Sequence, residues 1–362
     1  MTTRSLLVAG AALLPGVVLA QSSSTASLAS HMTAQSYVTV ANSSPNLAQY
    51  KVPPGPQYSG VAYLFVTRSD LPEGFGDVCT GALINNGHSI LTAAHCLANS
   101  QGQLQATSVD VRLTNDGGKT YTTTQAHYFH VNPQYTGNVI DTHDIAVINL
   151  DSAMTGFTSY DLYNQDAVGQ NYDVVGWGTR GTGQHGASPN DLFSPRHGYN
   201  TFDFSTDNSM FGSGSDSFWG GQDVYMSDFD NGKPGNDASC WLTSFFTADN
   251  SPYCNLGLGT NEVDTAPGDS GGPEFVWVNG HYEVAGVTSF GITFGRGERG
   301  NEFHGPDIDN VLNSSYGEFA GYTRVDINSN WIYANTPEPS SVALLATGLL
   351  GLVPVMRRRR GK

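Results

Sequence analysis

Basic side chains are scarce in this chain. Its 362 residues hold 16 Lys and Arg against 32 Asp and Glu, a formal net charge of −16. Proteins that bind a phosphate backbone do so largely through Lys and Arg, so this balance excludes a nucleic acid partner. Cysteine is also sparse. The four present never occur as Cys-x-x-Cys, which leaves no zinc-ribbon spacing and allows three disulfide pairings. Long apolar runs are missing from the interior and occur only near the ends. At the N-terminus Arg4 precedes an apolar stretch over residues 6–19, and Val18-Leu19-Ala20 offers small-residue cleavage chemistry before Gln21, the pattern of a secretory signal. Near the C-terminus Pro337-Glu338-Pro339 leads into an apolar run over 340–356 and four arginines at 357–360. Arg4, those four arginines, Lys362 and Glu338 all fall outside residues 21–336. That body keeps ten basic against 31 acidic residues, a charge near −21, which we read as solubility outside the cell.

Glycine is abundant instead, at 43 residues, as suits many short strands joined by tight turns. Alternating or β-branched apolar stretches predict strands over 61–66, 82–84, 108–113, 145–150, 172–175, 274–278, 282–289 and 321–326, and a helix follows near 327–334. Two segments break the pattern. Residues 180–238 mix Gly, Ser and Asp with Phe202, Phe204, Phe211, Phe218, Trp219 and Tyr225, too aromatic for disorder and too polar for core strands, and are expected as an ordered decorating loop. Residues 292–319 form a second insertion.

Three motifs carry chemistry. Gly268-Asp269-Ser270-Gly271-Gly272-Pro273 can present a serine beside backbone N–H donors. A serine hydroxyl is nearly inert at neutral pH, so it needs an imidazole to take its proton. Thr92-Ala93-Ala94-His95-Cys96 offers that base upstream. His143-Asp144, opening an apolar run, offers the carboxylate that would orient it. With this order, and with Gly176-Trp177-Gly178, Ser289-Phe290-Gly291 and Gly321-Tyr322-Thr323-Arg324-Val325 in the gaps, residues 59–335 resemble the chymotrypsin/trypsin family of serine peptidases.

The resemblance implies an all-β fold of two six-stranded antiparallel β-barrels with a short C-terminal helix. It implies a secreted serine endopeptidase with no cofactor and no metal, acting on polypeptide substrates. Ser270 is then the nucleophile, His95 the base and Asp144 its orienting acid, while the N–H groups of Gly268 and Ser270 bind the oxyanion. Disulfides Cys79–Cys96 and Cys240–Cys254 follow from the same resemblance. Ser289 to Gly291 would pair with an extended substrate, and Asp264, six residues before Ser270, with Thr265 would line a pocket selecting Arg or Lys. Ala320 would narrow that pocket, and Arg296 and Arg299 of the second insertion face it with charges that can neutralise Asp264. Residues 21–58 form an N-terminal segment or propeptide, and a cut at Lys51-Val52 would free an amine for Asp269.

The tail, residues 336–362, resembles the PEP-CTERM sorting signal of Gram-negative bacteria. That implies transient membrane insertion through 340–356, a processing protease that cuts near 337–339, and release to the cell envelope, surface or extracellular matrix. Two other classes compete with the peptidase. An inactive binding or adhesion module on a protease fold gives no reason for an intact triad. An acyl hydrolase elbow, Gly-x-Ser-x-Gly, fits residues 268–272 only loosely.

Overall fold

Period-two burial sets the first sheet. In Ala106–Leu113 the side chains of Val109, Val111 and Leu113 are buried while Thr107 and Arg112 face water. The computed structural model describes residues 39–41, 43–188, 194–294 and 305–337. In chain order the strands of the first half are β1 (Thr39–Val40), β2 (Val61–Arg68), β3 (Gly76–Ile84), β4 (Ser89–Thr92), β5 (Ala106–Leu113), β6 (Thr122–Ala126), β7 (Tyr128–Val131) and β8 (Ala146–Asn149). Seven of these form one curled antiparallel sheet in the order β6-β5-β2-β3-β4-β8-β7. The second half supplies β9 (Asp161–Leu162), β10 (Asn171–Gly176), β11 (Arg180–Thr182), β12 (Gly186–Ser188), β13 (Arg196–Thr201), β14 (Phe204–Ser205) and β15 (Val224–Asp228). Then come helix α1 (Ala238–Thr243), β16 (Val263–Asp264), β17 (Pro273–Val278), β18 (His281–Ile292), β19 (Phe319–Arg324) and helix α2 (Val325–Asn335).

The second curled sheet runs β13-β10-β17-β18-β19-β15-β14, with β9 added in parallel on β18. The expected all-β, two-barrel architecture therefore holds, and so does its closing helix. The sheets count seven and eight strands because short edge segments join each one. Their interiors meet in one apolar cluster, in which Val175, Trp177, Phe275 and Val287 pack with Leu64, Leu83 and Ile90. The seam between the halves is thus dry.

Residues 180–238 depart from the expectation. They are no decoration: β13 pairs with β10 over six positions, and β15 pairs with β19 over five. Phe202, Phe204 and Tyr225 are fully buried: Phe202 stacks on Tyr172, meets Tyr322 edge-on and packs against Tyr225, and Phe204 meets Phe319 edge-on. An aromatic ring buries roughly 150–250 Å², so these rings offset the polarity of the segment around them. A third, small sheet, β12-β11-β1-β16, draws the N-terminal residues Thr39 and Val40 beside Asp264 and Val263. Among the described residues no helix is long and apolar enough to cross a membrane. The expected signal (1–20), apolar tail (340–356), Arg296 and Arg299 lie outside the described residues.

Candidate active site

β4 ends at Thr92, and the chain tightens into a single helical turn, Ala94–Cys96, that carries His95 into the seam. The Cys79–Cys96 disulfide ties this turn to β3. Asp144 enters from the other side, just ahead of β8, and is fully buried. Its Oδ1 accepts the His95 backbone N–H at 2.8 Å, and its Oδ2 lies 2.7 Å from His95 Nδ1. One carboxylate therefore fixes both the backbone and the ring of His95. That leaves the ring's other nitrogen for a substrate or nucleophile. Burial pushes the imidazolium pKa down, but the charge and hydrogen bond of Asp144 outweigh it and hold His95 above the ordinary 6.5.

A third group reaches the same carboxylate. β18 and β19 slip register between Thr288 and Phe290, a bulge that turns Ser289 out of the ladder. Its Oγ lies within hydrogen-bonding distance of Asp144 Oδ2 and of the Val139 carbonyl, with one proton to share between them. Sequence reasoning expected the Ser289 backbone to pair with an extended substrate, and the structure adds a role for its side chain in supporting Asp144. The Ser289-Phe290-Gly291 motif marked the position without revealing this partner. Thr323 Oγ1 also donates to the Asp144 carbonyl at 3.0 Å.

The Ser270 turn is held against the His95 loop. Thr80 N–H donates to the Ser270 carbonyl at 2.8 Å, Thr80 Oγ1 donates to the Gly268 carbonyl at 2.9 Å, and Cys96 Sγ lies 3.6 Å from the Ser270 carbonyl. Gly271 must be glycine. Its φ is +80°, and a Cβ there would stand 1.9 Å from Thr92 Oγ1. The N–H groups of Asp269 and Gly272 are used within the turn and that of Gly271 by the Thr288 carbonyl of β18, whereas those of Gly268 and Ser270 donate to no acceptor among the described residues. Two backbone donors on one turn are thus left for a ligand oxygen.

Asp269 is fully buried beneath this turn. Its Oδ1 accepts from Gly178 N–H at 2.6 Å and its Oδ2 from Ala266 N–H at 3.0 Å. Burial, eased by these two bonds, pushes its carboxyl up to about 8. The structure does not bring Val52 to it. The Val52 N–H is directed at the Pro195 carbonyl and Lys51 is bridged to Arg196, while Thr39 takes the position opposite Asp264. These contacts belong to the uncut chain and would have to be released by a cut at Lys51-Val52.

Asp264 is buried, accepts the Thr265 N–H at 2.8 Å, and is pushed up to about 7 by burial. Tyr172 and Tyr322, whose hydroxyls meet at 2.6 Å, feel its charge. The Thr265 carbonyl accepts from Ser314 Oγ at 2.6 Å, so residues of the second insertion support this wall. Gly291 is exposed on β18 opposite Ala320, and Leu312 Cδ1 would stand 3.4 Å from a Cβ placed there. Both expected disulfides are present, Cys240–Cys254 bracketing α1 and the segment that follows it.

Comparison with known proteins agrees with this geometry. The family described as Trypsin matches residues 56–195, and the PEP-CTERM protein-sorting motif matches residues 335–360. Chymotrypsin-like elastase family member 1 of Rattus norvegicus is 29% identical over 226 residues, covering 60% of this chain and 69% of the relative. The Homo sapiens counterpart is 29% identical over 222 residues, covering 59% and 69%. A solved structure titled HL collagenase aligns over 80% of this chain and 97% of its own, at 20% identity and a TM-score of 0.48. Residues 56–195 of this chain thus match the trypsin family, and residues 335–360 carry a PEP-CTERM protein-sorting motif.

Proposed function

We propose that this chain is an exported serine endopeptidase working through an acyl-enzyme. Ser270 attacks the scissile carbonyl, His95 takes its proton and returns it to the leaving amine, and Asp144 stabilises the imidazolium between those steps. The free N–H groups of Gly268 and Ser270 receive the oxyanion, an interaction typically worth about 3–4 kcal/mol per donor. The observation that carries the reading is the three-way grip on Asp144 by His95 N, His95 Nδ1 and Ser289 Oγ. Such a grip orients one imidazole and has no use in an inert surface module.

Cleavage after Arg or Lys follows from Asp264, with Thr265 and the Gly291 backbone beside it. Asp264 lies among other buried acids and lacks a basic partner among the described residues, so a cationic substrate side chain would satisfy a carboxylate that is costly to leave unpaired. Activation would need an amine near Asp269. A cut at Lys51-Val52 would supply it by freeing the Val52 amine. The sorting motif then takes the body out to the envelope or surface of a Gram-negative host, after removal of the tail near residues 337–339 by a processing protease and transient insertion of 340–356.

Two variants test the reading together. Ser270→Ala should abolish fluorophosphonate labelling and peptide hydrolysis while the protein stays folded. Asp264→Ser should keep labelling but lose at least ~100-fold of the preference for Arg or Lys in kcat/KM, about 2.7 kcal/mol. Peptide hydrolysis persisting in Ser270→Ala would exclude the mechanism. A cleavage profile dominated by aromatic or small residues would exclude the specificity alone.

A further inference from the structure

Five acidic side chains converge at one edge of the second barrel, away from the Ser270 turn. Asp228 ends β15, Asp230 follows it, Asp237 caps α1, Asp203 lies between β13 and β14, and Glu262 precedes β16; all are buried. Four of them are engaged. Asp237 Oδ1 accepts Cys240 N–H at 2.7 Å, Asp228 Oδ2 accepts Ser239 N–H at 2.7 Å, and Glu262 Oε1 accepts Asp230 N–H at 2.6 Å. Asp203 Oδ2 accepts Asp228 N–H at 2.9 Å. Asp230 differs. It is 2% exposed, and neither of its carboxylate oxygens has a hydrogen-bond partner among the described residues. No Lys or Arg among the described residues pairs with any of the five.

A buried carboxylate with nothing to neutralise it is among the costliest arrangements in a protein. Glu262, Asp237 and Asp203 add like charge around it, so the site must hold either protons or a cation. The spacing favours the cation. Asp228, Asp230 and Asp237 each place an oxygen within 4.8 Å of the other two. Oxygens bound at 2.3–2.6 Å to one Ca2+ stand at most about 5 Å apart, and Mg2+, at 2.0–2.1 Å, would draw opposed oxygens to about 4 Å. A second acidic group, Asp307, Asp309 and Glu318, converges similarly. Its Asp309 oxygens are already taken by Val311 N–H and Asn313 Nδ2, so it lacks the orphan that marks the first.

We propose that Asp228, Asp230 and Asp237 bind one Ca2+ ion, with Asp203 and Glu262 holding the backbone of the site in place. The ion joins the end of β15 to the start of α1. Through Glu262, which caps both Asp230 N–H and Leu258 N–H, it also steadies the segment that leads into Asp264. This inference is independent of catalysis.

The test uses the full chain with Ser270→Ala to prevent self-cleavage, stripped with EDTA and titrated with CaCl2 at pH 7.5 and constant ionic strength. We expect saturable uptake by calorimetry and a Tm rise of at least ~5 °C at 1 mM Ca2+. Asp230→Asn should remove one equivalent of uptake and most of the Tm rise, and Asp309→Asn should keep both. If Asp230→Asn does not fold, Asp237→Asn, which preserves a helix-capping oxygen, is read in the same titration. Absence of Ca2+ uptake means a site that holds protons only, and it overturns the proposal. So does uptake unchanged in the folded variant, or an equal Tm rise with NaCl.

Discussion

Asp269 offers a quantitative test of how an uncut chain differs from a cut one. In the uncut chain its carboxyl is pushed from the ordinary 3.8 up to about 8, so between those values the folded state holds a proton that the unfolded state has released. The stability this proton provides is fully present below pH ~4 and is lost as pH rises through 8. At 1.36 kcal/mol per unit, the loss is about 5 kcal/mol, a large fraction of a typical domain's 5–15 kcal/mol. Asp269→Asn cannot titrate. It does leave Gly178 or Ala266 N–H short of an acceptor, at about 1–3 kcal/mol, but that offset is constant in pH and drops out of the slope. Urea unfolding of uncut Ser270→Ala, with and without Asp269→Asn, should therefore diverge by about 5 kcal/mol from pH 4 to pH 8, the chain with Asp269 losing more. Once a new amine pairs with Asp269 the sign reverses. The carboxyl is then held low, its stabilisation is lost on acidification, and the pair fails only as the amine deprotonates, above the pH ~8 of a free amine because the pairing raises it. Parallel slopes for the two uncut proteins would refute the reasoning. Active enzyme that begins at Gln21 would refute the pairing.

Two further outcomes follow from named contacts. Ser289→Ala removes one donor from Asp144 Oδ2, and kcat should fall about 10-fold, equivalent to ~1.4 kcal/mol. With less of its charge engaged, Asp144 would raise His95 further, so the acidic limb of the pH–rate profile, already above 6.5, should move up; an unmoved limb would assign Ser289 a purely structural role. Phe202→Ala should cost about 3–5 kcal/mol by denaturant unfolding because the ring is fully buried between Tyr172 and Tyr225, whereas a ring on a decorating loop would cost under ~0.5 kcal/mol.

The difference between what could be read in the chain and what could not lies in locality. Ser270, His95 and Asp144 each sit in a short motif whose residues are fixed by a turn, a disulfide or a strand end, so their order alone announced the site. β2 showed its continuous apolar run, and β5 its alternation, within eight residues. By contrast β13 and β15 owe their existence to partners elsewhere: Gly198 sits opposite Val174, and Tyr225 opposite Tyr322 almost a hundred residues later. Propensity in a Gly- and Asp-rich window cannot see such a partner. β1 is two residues long and is set only by β11 and β16. Ser289 was legible as a motif but not as a ligand of Asp144, because a register slip decides where its side chain points.

Charge is where composition misled most. A body near −21 reads as a solvated surface, yet Asp144, Asp228, Asp230, Glu262, Asp264, Asp269, Glu274 and Glu318 are all nearly inaccessible to water. Most of these carboxyls are pushed upward by burial, so each favours the neutral form or a cationic partner. On the proposals above, three kinds of cation would meet that demand: an amine at Asp269, a substrate side chain at Asp264 and a divalent ion at Asp230. Unlike Asp144 and Asp269, the residues Asp228, Asp230 and Glu318 sit in no motif that announces them. A chain that buries so many carboxylates should therefore fold to its full stability only when these partners are supplied.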